Sequence, residues 1–200
     1  ISMGFDVVIH SGTKFLNGHT DLTAGIVVGR SDLIKGVFKT KTRLGGTADA
    51  FMCYLLERGM RTLHARMPIH ASNSSELARR MQEHPEISAV NHPSLKSYAD
   101  YEVAKRIVPK GTGMLSFVVK GGDERAMRFV RALDIIFEAT SLGGIESLVS
   151  CPFNTSDIFV PEEDRLEAGI VPGFVRMSVG IEDVDDLWSD IEQALLASQS

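Results

Sequence analysis

The stretch "DVVIHSGTKFLNGHTDLTAGIVVG", residues 6–29, places a turn-rich loop between two short apolar runs. The runs at 6–10 and 23–29 are rich in β-branched residues and stand next to turn-forming residues, a pattern typical of buried strands. Strands with nearly continuous apolar sequence usually have neighbours on both sides and helices on both faces. We therefore predict two buried strands joined by a loop that carries polar side chains.

Lys14 lies within that loop, close to the hydroxyls of Ser11 and Thr13. Gly12 lets the backbone approach a ligand closely, so the hydroxyls and the neighbouring amides are suited to binding a phosphate. A lysine beside them can condense with an aldehyde. Phosphate and aldehyde together describe pyridoxal 5′-phosphate (PLP), which forms a Schiff base with lysine. The alternative is a solvated lysine whose neighbouring hydroxyls cap a turn, and the loop alone favours this alternative.

Composition limits the other classes of function. The chain has 200 residues, 44% hydrophobic and 24% charged, which is typical of a globular protein with a sizeable core in one large domain or two small ones. The net charge of −5, with acids and bases interspersed, predicts no nucleic-acid partner. No apolar run approaches the roughly 20 residues of a membrane span, so we predict no membrane partner.

Cysteine and histidine spacing argues against a metal site. Cys53 and Cys151 are far apart and lack metal-ligand spacing, which fits reduced thiols in a cytoplasmic protein. The six histidines include no pair at helical metal-binding spacing. We therefore predict a cytoplasmic protein with no bound metal.

Helical patterns follow the second apolar run. Ser31 is the expected N-cap of a helix over "DLIKGVFKT". A longer helical pattern covers residues 49–84, where Gly59 and Pro68 are expected to break or kink the helix.

Short alternating units follow Pro85. The predicted strands are "ISAVN", "MLSFVVK" and "FVRMSVG", and the predicted helices are "ADYEVAKRI", "DERAMRFVRAL" and "VDDLWSDIEQALLA". Apolar residues recur at helical spacing in the last helix and should form one buried face, namely Val184, Leu187, Trp188, Ile191 and Leu195. The change of pattern predicts two domains, residues 1–80 and 81–200, the second a compact α+β unit.

Four stretches occur together in this order: "HSGTKFLNGHTDLTAGIVVG", "LLERGMRTLHARM", "SLGGIESLVSCP" and "GFVRMSVGIEDVDDLWSDIEQAL". Together they closely resemble the Cys/Met-metabolism family of PLP enzymes, which includes cystathionine γ-synthases, cystathionine lyases, methionine γ-lyases and homoserine sulfhydrylases. The resemblance runs from Ile1 to Ala197. It implies an α/β fold, the C-terminal half of a fold-type-I PLP-dependent transferase. Residues 1–80 would end the large parallel-sheet domain that binds PLP, and residues 81–200 would form the small C-terminal domain.

The resemblance also implies roles for single residues. Lys14 matches the Schiff-base lysine, and Ser11 and Thr13 match hydroxyls that bind the cofactor phosphate. Ser141 of "SLGG" and Arg176 of "VRMSVG" match residues that receive the substrate carboxylate. The guanidinium suits that role because its planar fork grips a carboxylate through two hydrogen bonds. From the residues alone, the alternative for Arg176 is a structural ion pair within an apolar strand.

By the same resemblance, the full-length protein eliminates or replaces a group at the β or γ carbon of a sulfur-containing or activated-hydroxyl amino acid. Its partners would be a small amino-acid substrate and further copies of itself, in a dimer or tetramer. The acid for the pyridine nitrogen, the ring-stacking aromatic residue and the glycine-rich phosphate segment belong to the other half of relatives. We therefore expect the isolated 200 residues to be inactive. The alternative is a non-catalytic remnant or a complementing subunit.

Two positions depart from the family pattern. Many relatives carry an acidic residue where Thr140 stands before "SLGG", which favours β-eliminating, methionine-cleaving or sulfhydrylase-type members. In "PFNTSDIF", Asp157 falls near the place of a histidine that relatives usually have. Substrate choice stays open at this edge of the expected site.

Overall fold

A computed structural model of the chain describes residues 1–199. Contacts within the chain separate two compact units, Ile1–Leu63 and a second unit that begins at His64. Each unit has its own sheet. The domain boundary expected between residues 80 and 81 stays a prediction.

The first unit contains the two strands predicted on either side of the lysine. Strand β1 (Val7–Ser11) pairs antiparallel with β2 (Gly25–Gly29), so that Ser11 lies opposite Gly25. The prediction that both strands are buried is wrong for the described chain, in which the side chain of Ile9 is 75% exposed. Two strands form this sheet within residues 1–199, and each strand therefore has one unpaired edge.

Three helices follow β2, and their ends differ in part from the prediction. Helix α1 (Ser31–Leu44) begins at Ser31 itself, so Arg30 and not the serine holds the N-cap position. Asp49 caps α2 (Ala50–Met60) by accepting a hydrogen bond from the Met52 amide at 3.0 Å. The expected interruption near Gly59 falls directly after Met60, where α2 ends.

Helix α3 (Leu63–Glu83) continues through Pro68, so the prediction of a break there is wrong, and a kink at Pro68 stays a prediction. A proline inside a helix costs the hydrogen bond that its missing N–H would have made to the residue four positions earlier. Residues on both sides of Pro68, among them Arg66, His70 and Leu77, are buried. Burial of this face therefore offsets the loss of one backbone hydrogen bond.

The second unit is built on a five-stranded sheet with the strand order β3-β4-β7-β6-β5. Neighbouring strands are antiparallel except β5 and β6, which are parallel. The strands are β3 (Ile87–Asn91), β4 (Met114–Val119), β5 (Phe137–Glu138), β6 (Leu148–Ser150) and β7 (Phe174–Ser178). The helices that follow α3 are α4 (Tyr101–Ile107), α5 (Gly122–Arg131), α6 (Glu162–Glu167) and α7 (Val184–Ala197).

The predicted strands and helices after Pro85 are confirmed, whereas β5, β6 and α6 were not predicted. Two or three strand residues are too few to show an alternating pattern. Helix α6 spans six residues, less than two full turns. These elements therefore leave no periodic signal in the sequence.

One face of the sheet forms the core of the second unit. Phe117 of β4 contacts Phe129 of α5 edge to face, with ring centroids 5.8 Å apart. The predicted apolar face of α7 packs here: Leu187, Ile191 and Leu195 are buried, and Val184 and Trp188 pack at its edge. That prediction is confirmed.

The other face of the sheet carries a polar row. Ser116 of β4 lies opposite Arg176 of β7, and Arg176 lies opposite Ser150 of β6. Residues directly opposite each other on neighbouring strands project from the same face. Arg176 therefore projects from the face opposite to the Phe117 core, since side chains alternate along β4 and β7.

Candidate active site

The lysine loop, residues 11–22, begins at the end of β1 with a short helical turn, Gly12–Leu16. Lys14 interrupts this turn with dihedral angles of φ −93° and ψ −135°, and its side chain is half-buried. The amides of Gly12 and Thr13 donate to the carbonyl oxygen of Ala24, at 2.7 and 3.3 Å. These two amides already have a backbone acceptor, so the expected phosphate role of this loop depends on its hydroxyls.

The hydroxyl of Thr13 is held in place by one hydrogen bond that it accepts, and its own O–H remains available as a donor. Its Oγ1 accepts a hydrogen bond from the Ala24 amide at 3.0 Å, and its distance to the Ala24 carbonyl oxygen is 3.5 Å. The second distance exceeds an ordinary O–H···O hydrogen bond. The hydroxyl can therefore turn its proton toward an anion without losing its anchor. Ser11, the last residue of β1, is exposed.

Gly12 is in close contact with the segment that precedes β2. A Cβ added at Gly12 would lie 3.1 Å from the Cβ of Ala24, tighter than most real contacts of this kind. Glycine therefore allows the loop to approach the chain before β2. The close approach to a ligand that the sequence suggested at Gly12 stays a prediction.

Asn17 is the buried residue within the lysine loop whose hydrogen bonds stabilise the loop. It is 1% exposed, and its Nδ2 donates to Oδ1 of Asp21 at 2.8 Å. The Asn17 carbonyl oxygen lies 2.7 Å from Nδ1 of His19. Gly59 of α2 packs directly on this carbonyl, because a Cβ at Gly59 would lie 2.4 Å from the oxygen. This contact was not predicted from the sequence, although a glycine inside a helical pattern often has a packing reason.

In the second unit, Arg176 and Ser141 lie together as expected. Nη2 of Arg176 donates to the carbonyl oxygens of Thr140 at 2.6 Å and of Ser141 at 3.2 Å. These partners are carbonyl groups, so the hydrogen bonds do not neutralise the guanidinium as an ion pair would. Nε of Arg176 is buried and has no hydrogen-bond partner among the described residues.

The guanidinium lines a cavity of about 520 Å³ on the polar face of the sheet. Two of the described lining residues are charged, Arg176 and Asp157. Burial lowers the pKa of Arg176, and the negative charge of Asp157 acts in the opposite direction. Apolar side chains form much of the wall, with polar groups between them, and the remaining lining residues are Asn91, Pro93, Tyr98, Met114, Leu115, Ser116, Pro152, Ser156, Ile170 and Phe174.

Metal and disulfide chemistry have no support in the described part of the chain. Within residues 1–199, no group of three or more histidine, cysteine, aspartate or glutamate side chains is placed to hold a metal ion. Cys53 is exposed and Cys151 is buried, and both are free thiols. None of the described helices is long and apolar enough to cross a membrane.

Comparisons with known proteins assign the family. The sequence pattern described as "Cys/Met metabolism PLP-dependent enzyme" matches residues 1–196. The chain therefore belongs to this family of PLP-dependent enzymes. It is 40% identical to L-methionine gamma-lyase of Pseudomonas deceptionensis, covering 98% of this chain and 50% of that protein. It is 37% identical to cystathionine gamma-lyase of Dictyostelium discoideum, covering 98% of this chain and 51% of that protein.

The fold agrees with the family. The crystal structure of cystathionine gamma-lyase from Lactobacillus plantarum complexed with L-serine superimposes with a TM-score of 0.93 at 32% identity. The match covers 99% of this chain and 52% of that chain. The predicted class, the C-terminal half of a fold-type-I PLP enzyme, is confirmed, and the family implies PLP as cofactor. The chain spans about half the length of the curated relatives it matches.

Proposed function

We propose that the full-length protein catalyses PLP-dependent elimination or replacement at the β or γ carbon of a sulfur-containing or activated-hydroxyl amino acid. The observation that carries this proposal is the incomplete hydrogen bonding of the Arg176 guanidinium. Its Nη2 is fixed by two carbonyl oxygens, while its buried Nε lacks a partner within residues 1–199. An unpaired buried donor on a charged group is costly, and a substrate carboxylate would satisfy it.

The cofactor contacts are proposed for the lysine loop. Lys14 would supply the amine that holds PLP covalently, and the hydroxyls of Ser11 and Thr13 would donate to its phosphate. The anchored hydroxyl of Thr13 supports this role, because its contact with the Ala24 amide orients it and leaves its proton available. PLP, when bound, withdraws electrons from the substrate Cα.

The substrate contacts are proposed for the sheet face. Arg176 grips the α-carboxylate with its planar fork, and Ser141, whose carbonyl oxygen it contacts, borders the same group. With PLP and substrate bound, the amine of Lys14 would take the proton from the substrate Cα as a general base.

We also propose that the full-length protein is a homo-oligomer, a dimer or tetramer, and that it is cytoplasmic. The free state of Cys53 and Cys151 supports a reducing location. Because the chain spans about half of its relatives, the activity is proposed for the whole protein and not for these residues alone.

Lysine mapping tests the proposal. Full-length protein loaded with PLP is reduced with borohydride, digested and analysed by mass spectrometry. We expect the covalent label on Lys14, its loss in Lys14→Arg, and its retention in the control Lys35→Arg. A label on Lys35, Lys39 or Lys41 with none on Lys14 would contradict the proposal.

A further inference from the structure

We propose that Asp157 is a specificity-determining residue, which selects amino-acid substrates whose side chain ends in an ammonium group and rejects those whose side chain ends in an anion. The inference rests on the proposed function, because it takes Arg176 as the site of the substrate α-carboxylate. It adds the chemical class of the rest of the substrate. Neutral side chains fall between the two classes.

Two groups of opposite charge line the cavity. Asp157 and Arg176 are the charged groups among its described lining residues. Without a ligand, the positive charge of Arg176 faces the negative charge of Asp157, which opposes the effect of burial on the arginine pKa. When a carboxylate binds Arg176, the guanidinium is neutralised and Asp157 is left as an uncompensated anion.

Two hydrogen bonds hold Asp157 in place. Its amide donates to the Pro152 carbonyl oxygen at 2.9 Å, directly after a short helical turn, Pro152–Asn154. The Ser156 hydroxyl donates to Oδ2 of Asp157 at 3.0 Å. The carboxylate is half-buried in the same cavity wall as apolar side chains such as Phe174. A fixed charge beside an apolar wall discriminates more strongly than a mobile solvated one.

The rest of the described cavity wall carries no charge. It consists largely of apolar groups, including Met114 and Ile170, together with uncharged polar groups. Such a wall accepts a thioether or an alkyl chain, and its described residues provide no further cation for a second anion. An ammonium group can pair with Asp157, whereas a second carboxylate would meet like charge.

A matched ligand series tests the inference. S-(2-aminoethyl)-L-cysteine, S-ethyl-L-cysteine and S-carboxymethyl-L-cysteine differ mainly in the charge at the end of the side chain. Their dissociation constants are measured on the chain by NMR titration, and their kcat/KM values are measured on PLP-loaded full-length protein. We expect the ammonium compound to bind best and the carboxylate compound to bind worst, with about tenfold between successive members.

Three variants isolate the charge of Asp157. Asp157→Asn should bring the three dissociation constants within about threefold of each other, whereas Asp157→Glu should keep the order. Asp186→Asn, an exposed acid on α7, changes the net charge equally and should leave the order unchanged. Backbone NMR spectra of each variant establish that the sheet is intact.

The outcomes separate this inference from the proposed function. If Arg176→Gln abolishes binding of all three compounds but Asp157→Asn leaves their order unchanged, Arg176 holds the carboxylate and the inference about Asp157 is wrong. If Arg176→Gln binds all three as the wild type does, the proposed function is wrong at its carboxylate site. Equal binding of the three compounds by the wild type would also overturn the inference.

Discussion

At the scale of single residues, the guanidinium of Arg176 is both fixed by backbone groups and incompletely hydrogen-bonded. Its Nη2 is fixed by the carbonyl oxygens of Thr140 and Ser141, and its Nε is buried without a partner in the described chain. The first feature fixes the direction of the guanidinium plane. The second leaves an N–H available on a group that carries a full charge.

Replacing Arg176 with lysine tests the fork geometry directly. Lysine keeps the charge but cannot make two parallel hydrogen bonds to a carboxylate. We expect kcat/KM of the full-length protein to fall by roughly 30- to 150-fold, which corresponds to a lost charged hydrogen bond of about 2–3 kcal/mol. The absorbance of bound PLP should persist, because Arg176 is assigned to substrate. A variant that loses PLP while its KM is unchanged would contradict this assignment.

At the scale of secondary-structure elements, the lysine loop depends on its contact with α2. Asn17 is a buried residue of this loop. Gly59 lies against the carbonyl oxygen of Asn17 and leaves no room for a side chain at position 59. The loop therefore takes part of its shape from a helix more than thirty residues further along the chain. Any residue at position 59 other than glycine would have to push the loop or the helix away.

Alanine at position 59 should destabilise the first unit. The new Cβ would lie 2.4 Å from the Asn17 carbonyl oxygen, so the backbone must shift, at a cost of about 1–3 kcal/mol. The control is Gly36→Ala in α1, where an added Cβ meets nothing within 4 Å. There alanine should stabilise by about 0.5–1 kcal/mol, because it restricts the unfolded chain and favours the helix.

Denaturant unfolding and amide hydrogen exchange measure both effects. Exchange at Asn17 and Gly18, whose amides donate to the Gly12 and Lys14 carbonyl oxygens, should accelerate in Gly59→Ala and stay unchanged in Gly36→Ala. Equal stability of the two variants would show that the close contact at Gly59 is absent in solution.

At the scale of the whole molecule, the two units differ in how completely they bury their apolar side chains. The second unit has a continuous core in which Phe117, Phe129 and Met177 are fully buried. In the first unit, Ile9 and Leu44 are 75% and 81% exposed. Since burial of apolar surface is the main driving force for folding, the second unit should be the more stable of the two.

A buried carboxylate links the stability of the second unit to pH. Asp190 of α7 is 4% exposed and accepts hydrogen bonds from the amides of Asp134, Ile135 and Ile136, at 2.8, 2.9 and 3.0 Å. Burial by itself raises the pKa of Asp190, but these hydrogen bonds and one from Gln193 outweigh it, so the pKa lies below its ordinary value of 3.8.

The lowered pKa of Asp190 determines the sign of the pH effect. Its contribution to stability is fully present above pH 3.8, the value in the unfolded chain, and is lost as the pH falls through the lower pKa of the folded state. We expect Asp190→Asn to lose about 2 kcal/mol at pH 7 and to approach the wild type toward pH 2. Urea unfolding at several pH values measures this, with Asp186→Asn as the control. A constant difference between Asp190→Asn and wild type over this range would show that the carboxylate charge is not responsible.

Strands and helices with a long enough pattern of apolar residues can be predicted from the sequence alone. The sequence also shows the four motifs in their order. The apolar runs around the lysine, the helical periodicity of α7 and the strands β3, β4 and β7 are local signals, readable within a few residues. The four ordered motifs were sufficient to recognise the family, which the match over residues 1–196 confirms. The proposed roles of Ser11, Thr13, Lys14, Ser141 and Arg176 come from the same motifs.

Contacts between residues that are distant in the sequence are established only by the tertiary structure. Arg176 meets Thr140 and Ser141 across about 35 positions of the chain, and Asp190 meets the segment at residues 134–136 across more than 50. Pro68 stays inside a helix because burial of the neighbouring turns outweighs one lost hydrogen bond. The spacing of residues along the sequence does not predict such partners, because they come together only when the sheet and its helices pack. Burial and charge at a site are therefore properties of the folded chain.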